Sequence, residues 1–457
     1  MFDDTIAAIA TPLGEGGLAV IRISGAQALA VADKTFVPIG KNSTKPSAAT
    51  SHTIHYGRMV RAGQTVDEVL CAVLRAPRTY TREDVVEITC HGGILATKTV
   101  LDTVLENGAR LALPGEFTQR AFLNGRLDLT QAEAVADLIH SRTDLALRAA
   151  NEQLAGKLSA RINQLRDDLM HTLAHIEAHL DFPEEDIAPN TRTQLELQLV
   201  GGLAFMEELL RTAREGQILR RGIRAAIVGR PNAGKSSLLN QLLGHDRAIV
   251  SHIAGTTRDT IEETANVRGI PVVFIDTAGL REAQNEIERE GIRRSRESLA
   301  RAELILHVLD AAEPLTPADE VLLAEFAGKP RILVRNKADL PIQLNALART
   351  RHAPVVDVSC TTGHGLEALK DAIKALVWSG AITNEMAQVT INSRHQDALR
   401  RARESTSLAL ENLRADASLE FVALDLRLAA NAVGEIVGKT NTEDLLDTIF
   451  RQFCLGK

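Results

Sequence analysis

Cysteine is scarce: the chain has four, Cys71, Cys90, Cys360 and Cys454, far apart and with no C-x-x-C pair among them. That excludes a zinc ribbon and gives no support to a disulfide framework. A positive balance is lacking too, since 52 lysines and arginines stand against 59 aspartates and glutamates, a formal charge of -7. With no overall positive field, any RNA must be met by a local basic patch or through a partner. No apolar run reaches the roughly 18 residues a membrane span needs. The acidic start, Met1-Phe2-Asp3-Asp4, lacks the basic, apolar and small-residue order of a signal peptide. A cytoplasmic location without membrane contact is expected.

What is present is a globular composition, 45% apolar and 24% charged, over 457 residues, too many for one core. Residues 1–118 alternate short apolar runs with glycine and proline. Leu18–Ile23, Val69–Leu74 and Val85–Cys90 read as strands, Gly40–Ser51 as a loop, and Ile94–Glu106 as a helix ended by Asn107-Gly108. A small α+β domain is predicted. In residues 119–221, Leu154, Leu158, Ile162, Leu165, Leu169, Leu173, Ile176 and Leu180 recur at helical spacing and predict one long amphipathic helix stopped at Asp181-Phe182-Pro183. A second helix over about Thr193–Gly216 follows and leads into the basic Arg220-Arg221. Residues 222–380 alternate strands with helices in doubly wound α/β order. Residues 381–457 return to helical patterning, with no cap signals to fix boundaries. Neither helical block has a second apolar partner within itself, so one discontinuous helical domain is expected, with the α/β domain inserted into it.

The inserted domain carries the chemistry. The strand Arg224–Val228 runs into Gly229-Arg-Pro-Asn-Ala-Gly234-Lys235-Ser236-Ser237 and then a helix, the context a phosphate-binding loop requires. Its glycines let backbone N–H groups from Asn232 to Ser237, Ala233 included, cradle phosphate oxygens at the positive end of the helix. Lys235 would reach the β/γ-phosphates and Ser236 would ligate Mg²⁺. Asp276-Thr277-Ala278-Gly279 follows the strand Pro271–Ile275, placing a carboxylate and a glycine N–H at the metal and γ-phosphate. Asn336-Lys337-Ala338-Asp339 follows Ile332–Arg335, and the Asp339 carboxylate accepts from guanine N1–H and N2, which adenine cannot match. GTP is therefore the expected nucleotide. Ser359-Cys360-Thr361 resembles the loop that closes over the base, with Cys360 where alanine is usual. Leu280 stands where a water-orienting glutamine is common, so another group must serve. Asn232, with Gly255-Thr256-Thr257-Arg258-Asp259, matches GTPases activated by K⁺.

Outside these motifs, Asp4-Thr5-Ile6-Ala7-Ala8-Ile9-Ala10-Thr11-Pro12, Ile21-Arg22-Ile23-Ser24-Gly25, Pro114-Gly115-Glu116-Phe117-Thr118, Phe122–Leu129 and the ending Phe453-Cys454-Leu455-Gly456-Lys457 resemble the tRNA-modification GTPase family MnmE, also called TrmE. The resemblance covers the whole chain. It implies an N-terminal folate-binding and dimerising domain, a homodimer, and an FAD-dependent partner, MnmG (GidA), in a heterotetramer or larger complex. That complex would add an aminomethyl or carboxymethylaminomethyl group to the wobble uridine of certain tRNAs, with the carbon from a 5-formyl- or methylene-tetrahydrofolate and tRNA held largely by the partner. By motif position it implies folate contacts from Arg22, Glu87, Arg126 and Lys457. It also implies K⁺ ligation by Asn232, Ser251, Ile253 and Thr256, Mg²⁺ ligation by Ser236 and Thr257, and a catalytic carboxylate at Glu288 working with Lys235. Ser251, Thr256 and Thr257 also join the GTP contacts.

Plainer readings stand beside these. Glu288 lies in the charged run Glu286–Glu290, which by default is a solvated helix face. His91-Gly92-Gly93 follows a strand and opens a helix, so it could touch a ligand, but a plain turn is favoured. Arg394, Arg400, Arg401 and Arg403 could meet tRNA, but Asp397 and Glu404 interleave and favour a solvated face. Cys454 reads as a reactive thiol, a packed small hydrophobe, or neither. The rival from another class is an Era-like ribosome-assembly GTPase that binds RNA without modifying it. It gives no role to residues 1–118 or to the Cys454–Lys457 tail.

Overall fold

The computed structural model describes residues 3–40, 43–181, 189–244, 263–275, 299–344, 353–378, 391–440, 443–451, 453–454 and 456–457. The first region is an antiparallel sheet closed at one edge by a parallel strand. Its strands are β1 (Ile6–Ile9), β2 (Gly16–Ser24), β3 (Phe36–Pro38), β4 (Thr53–Arg61), β5 (Gln64–Leu74), β6 (Val85–Gly92) and β7 (Arg110–Leu111), in the order β3-β4-β5-β6-β2-β1-β7. Helices α1 (Ala28–Thr35) and α2 (Ile94–Glu106) lie over one face, where Ile21, Ile23, Val86 and Ile88 meet Val31, Val100 and Val104. Cys71 and Cys90 belong to this core. Burial pushes the Cys71 thiol up to about 12, so packing rather than reactivity is its role. Residues 43–51 are the expected loop, apart from a single 3-10 turn at Pro46–Ala48.

Helix α3 (Glu116–Leu123) is held to this sheet by Arg120, which is fully buried and pairs with Asp4 at 2.7 Å, Glu116 at 3.0 Å and Glu83 at 3.2 Å. A hairpin follows, α4 (Leu129–His140) and α5 (Asp144–Leu154). Then come α6 (Lys157–Asp181), α7 (Pro189–Arg211) and α8 (Ala213–Arg221). Two expectations are corrected here. Leu154 ends α5 rather than starting the long helix, because the chain breaks at Ala155-Gly156, where the apolar spacing happens to stay in phase. The second helix is likewise two, divided at Thr212, and Arg220-Arg221 lie inside α8 instead of after it.

The second sheet is β8 (Ile223–Val228), β9 (Glu263–Val267), β10 (Ile270–Ile275), β11 (Leu304–Asp310), β12 (Arg331–Asn336) and β13 (Val355–Val358), in the order β13-β12-β11-β8-β10-β9. It is parallel except for β9. Helices α9 (Lys235–Leu243), α10 (Pro317–Glu325) and α11 (Leu366–Val377) accompany it. The strands are nearly continuously buried, as a sheet covered on both faces demands. The chain then returns through α12 (Ser393–Arg414), α13 (Leu419–Val437) and α14 (Glu443–Phe450).

Leu158, Ile162, Leu165 and Leu169 of α6 share one core with Leu199 and Met206 of α7, Leu399 and Leu410 of α12, and Leu426 and Val433 of α13. The two helical blocks therefore complete each other across the inserted sheet. Caps, which the sequence did not reveal past residue 381, are present. Asn392 makes a capping box with His395, and Ser418 caps α13. The box is hidden in the sequence because His395 occupies the third position, where glutamate or glutamine is the usual signal.

The hairpin α4–α5 touches every region. Glu133 is bound by Arg394 at 2.9 Å and His395 at 2.7 Å, and Asp137 by Arg220 at 2.7 Å. Both crossings between the helices and the second sheet are thus tied to α4. Burial raises Glu133, but His395 and Arg394 outweigh it and hold the carboxyl well below its usual range; burial lowers the His395 pKa, with Glu133 opposing the fall. Arg394 is therefore structural, whereas Arg401 makes the expected solvated pairs with Asp397 and Glu435. On α5, Ala149 joins the core of the second sheet, and Arg142 donates to Thr264 of β9.

Candidate functional site

β8 ends at Val228 and α9 begins at Lys235, so the loop between them opens at the carboxyl edge of the sheet, beside the point where strand order reverses between β8 and β11. Backbone donors at the start of α9 face the same opening. Gly234 has φ 95° and packs so closely that a Cβ there would come within 2.1 Å of Asn336 Nδ2. Asn336 is buried. Its Nδ2 donates to Ala233 O at 2.9 Å, and its Oδ1 accepts from Cys360 N at 3.4 Å. Gln241 of α9 donates to Cys360 O at 2.8 Å. One buried amide thus joins the phosphate loop, the Asn336–Asp339 segment and the Ser359-Cys360 loop.

Lys235 Nζ donates to Gly229 O and Arg230 O, both at 2.8 Å, within the loop's mouth. Asn232 has φ 64° and is exposed at the rim, as are Ser236 and Ser237. Lys337 pairs with buried Asp310 at 2.5 Å, leaving Asp339 exposed at the end of its turn. Ser359 is buried, its N–H donating to His364 O at 3.0 Å. Burial raises the half-buried Cys360 thiol, with Asp339 adding to the rise. The predicted Ser251, Ile253, Thr256, Thr257, Asp276, Thr277, Ala278, Gly279 and Glu288 lie outside the described residues.

The second constellation forms around the chain terminus. Arg22 on β2 faces Glu87 on β6 in strand register, and both Nε and Nη2 of Arg22 reach Glu87 Oε1 at 2.8 Å. Arg22 Nη1 also donates to Gly456 O at 3.3 Å. Gly456 has φ 85°, and a Cβ there would lie 2.3 Å from Ile9 O. Phe453 anchors the segment. It is buried against Phe450, with ring centroids 5.6 Å apart, in a core with Leu129, Ala132 and Val135 of α4. Cys454 O accepts from Gly115 N at 3.4 Å, while the Cys454 side chain is exposed. Burial lowers the Lys457 ammonium, with Arg22 adding to the fall and Glu87 opposing it.

The predicted Arg22, Glu87 and Lys457 therefore meet, and Arg126 is linked to them by a residue the sequence reading missed. The Tyr80 ring lies 5.7 Å from the Arg22 guanidinium and 4.8 Å from that of Arg126. Tyr80 is held by a 2.9 Å hydrogen bond to Thr118, and burial raises its hydroxyl pKa. Its rarity was the available signal, since the chain has two tyrosines. His91 lies within β6, one residue before its end, rather than in the expected turn, and pairs with Asp67 at 2.6 Å.

A doubly wound domain with a phosphate loop and an Asn-Lys-x-Asp segment anchored by buried Asn336, set into a helical scaffold, defines the class as a multidomain P-loop GTPase. Two family models match the chain: that described as GTP-binding protein TrmE N-terminus over residues 5–126, and that described as MnmE helical domain over residues 129–454. The curated tRNA modification GTPase MnmE of Bacillus velezensis is 47% identical over 99% of this chain and 100% of its own. Those of Geobacillus kaustophilus and Geobacter metallireducens are 48% and 45% identical, over 99% and 100% of this chain and 99% of each relative. Among solved structures, Era from Aquifex aeolicus is 29% identical over 40% of this chain and 67% of its own, at a TM-score of 0.27, too low to bear on the fold. The chain belongs to the MnmE family of tRNA modification GTPases, and is a GTP hydrolase of tRNA modification. The Era-like reading is set aside, because the matches cover residues 5–126 and the helical blocks, for which it offers no role. Among the described residues no helix is long and apolar enough to cross a membrane.

Proposed function

We propose that this GTPase is stimulated by K⁺ and, with an FAD-dependent partner, installs an aminomethyl or carboxymethylaminomethyl group at C5 of the wobble uridine of certain tRNAs, using a one-carbon unit from a tetrahydrofolate. The observation that carries the folate part is the terminus clasped onto the first sheet by Arg22 and Gly456. A folate presents a polar pterin and a carboxylate tail. Arg22, Arg126 and Lys457 supply cations for such a ligand, and Tyr80 supplies an aromatic ring. Both Arg22 contacts fall on Oε1 of Glu87, which leaves its Oε2 edge to accept pterin N–H donors.

At the nucleotide, Lys235 would hold the β/γ-phosphates, Ser236 and Thr257 the Mg²⁺, and Asp339 the guanine. Asn232, Ser251, Ile253 and Thr256 would hold K⁺, which supplies positive charge between phosphates in place of an arginine finger. Glu288 would orient the attacking water in the absence of glutamine at Leu280. The working assembly is a homodimer joined to the flavin partner, which holds most of the tRNA.

Thermal unfolding and GTPase assays test the two halves separately. 5-Formyltetrahydrofolate should raise the melting temperature, and KCl should accelerate hydrolysis by orders of magnitude over NaCl, a response lost in Asn232→Ala. No thermal shift removes the folate site; equal rates in the two salts remove the K⁺ site.

A further inference from the structure

Tyr80 also lines an open cleft, together with Leu74, Pro77, Arg78, Thr79, Arg82 and Arg126. Three of these side chains are guanidinium groups, and the lining contains no carboxylate. Most other arginines of the first region are matched by carboxylates, Arg22 by Glu87, Arg110 by Asp4 and Glu116, Arg120 by Asp4, Glu83 and Glu116, while Arg75 donates to the Ser47 and Ala49 carbonyls. Those in the cleft are not. Arg126 lies beside the Tyr80 ring, and Arg82 donates to the Asn124 carbonyl at 3.0 Å. Among the described residues neither has a carboxylate partner, and the exposed Arg78 side chain makes no hydrogen bond or ion pair at all. Arg82 is also held at φ 60°, a conformation that non-glycine residues rarely adopt and that clusters at ligand sites. The row is continuous with the Tyr80 site, because Arg126 lines both and Arg82 Nη1 lies 3.5 Å from where a Cβ on neighbouring Gly125 would stand.

We infer that this cleft binds the polyglutamate extension of a folate, so that the site selects polyglutamylated over monoglutamylated cofactor. The inference rests on the folate reading above and extends it. Each added γ-linked glutamate brings one more carboxylate, and the guanidinium fork is built for bidentate pairing with that group. The first glutamate reaches Arg126; the second and third reach Arg82 and Arg78. RNA is the other polyanion such a cleft would suit. Sites of that kind offer bases an aromatic face for stacking. Tyr80 is the one aromatic side chain among the residues lining this cleft, a single platform where successive bases would need several.

Isothermal titration calorimetry on the full chain, with 5-formyltetrahydrofolate as monoglutamate and as triglutamate, tests this. The triglutamate should bind about tenfold tighter, and the advantage should shrink with added salt. Arg78→Gln with Arg82→Gln should return the triglutamate to the monoglutamate Kd while leaving the monoglutamate within about twofold. Since Arg82 sits in an uncommon backbone conformation, Arg78→Gln alone, at an exposed position, serves as the second variant and should remove about a threefold share of the gain. Equal affinity of the two folates for the unaltered chain overturns the inference and leaves the folate site standing. Failure of both folates to bind overturns the site as well. If the double variant loses tRNA affinity yet keeps its glutamate discrimination, the cleft is an RNA surface and the inference fails.

Discussion

The phosphate loop and the clasped terminus, the two sites proposed above for anionic ligands, hold their polar groups by opposite means. The loop is one stretch, residues 229–237, folded by its own glycines at the end of a strand, and a single buried amide from Asn336 braces it. The clasp draws on residues from β2, β6, the β5–β6 connection, the turn after α3 and the chain end, and each is positioned by an element with another task. A local site tolerates change around it and fails when its own residues change. A distributed site should fail when any supporting element shifts, even one that touches no ligand. Residue 235 in the loop and residue 456 in the clasp are where that difference is easiest to measure.

The largest effect belongs to the loop. Lys235→Ala removes the ammonium proposed to meet the β/γ-phosphates, and loss of such a preorganised charge costs about 10²–10³ in rate. Single-turnover GTP hydrolysis should fall by that factor, while 5-formyltetrahydrofolate binding stays unchanged. A comparable fall in folate affinity would mean that the two sites are not separate. Asn336→Ala comes next. It strips Ala233 O and Cys360 N of their side-chain partner, and each buried group left unsatisfied costs about 1–3 kcal/mol. Nucleotide affinity, followed with a fluorescent guanine nucleotide, should drop about 10–100-fold. A loss below threefold would show that the loop holds itself.

Gly456→Ala probes the clasp with one methyl group. The backbone there is left-handed, which disfavours alanine by about 1–2 kcal/mol, and the added carbon would sit 2.3 Å from Ile9 O. The terminus should lift, and folate affinity should fall about tenfold with GTP hydrolysis unaltered. Unchanged folate binding would mean that the tail is only packing.

These contrasts also explain what was legible in the sequence. The loop, Asn336–Asp339 and the strands before them could be read because contiguous spacing encodes their geometry. Arg22, Glu87, Arg126 and Lys457 came through resemblance alone: 65 residues separate Arg22 from Glu87, and only strand register brings them face to face. Tyr80 offered only its rarity, and Arg78 and Arg82, which have no carboxylate partner among the described residues, gave no pattern. Helix ends failed where a residue did unusual work, as His395 does in its cap, or where apolar spacing ran on through a break, as at Leu154. The insertion was legible for a reason of balance, since each helical block lacked an apolar partner that only the other could supply.

The smallest expected effect is an acid sensitivity confined to the nucleotide half. His307 lies on β11, fully buried in the same sheet as β8, and its two ring nitrogens meet no hydrogen-bond partner among the described residues. Burial, with the Arg331 charge adding to it, holds its pKa down to about 4. An unfolded chain would take up a proton near pH 6.5. Between those values the unfolded state binds more protons, so stability is complete above about pH 6.5 and is lost as pH falls toward 4. Full loss would amount to about 3 kcal/mol. Nothing comparable is lodged in the clasp, whose cations come from arginine and lysine. The temperature at which bound fluorescent nucleotide is released should therefore decline from pH 7 to pH 5, more steeply than the temperature at which folate is released. His307→Leu removes the titrating ring at similar volume and should flatten the nucleotide curve by most of that difference. If the variant keeps the full decline, the acid response lies elsewhere, with buried His395 at the α4 junction the next group to replace.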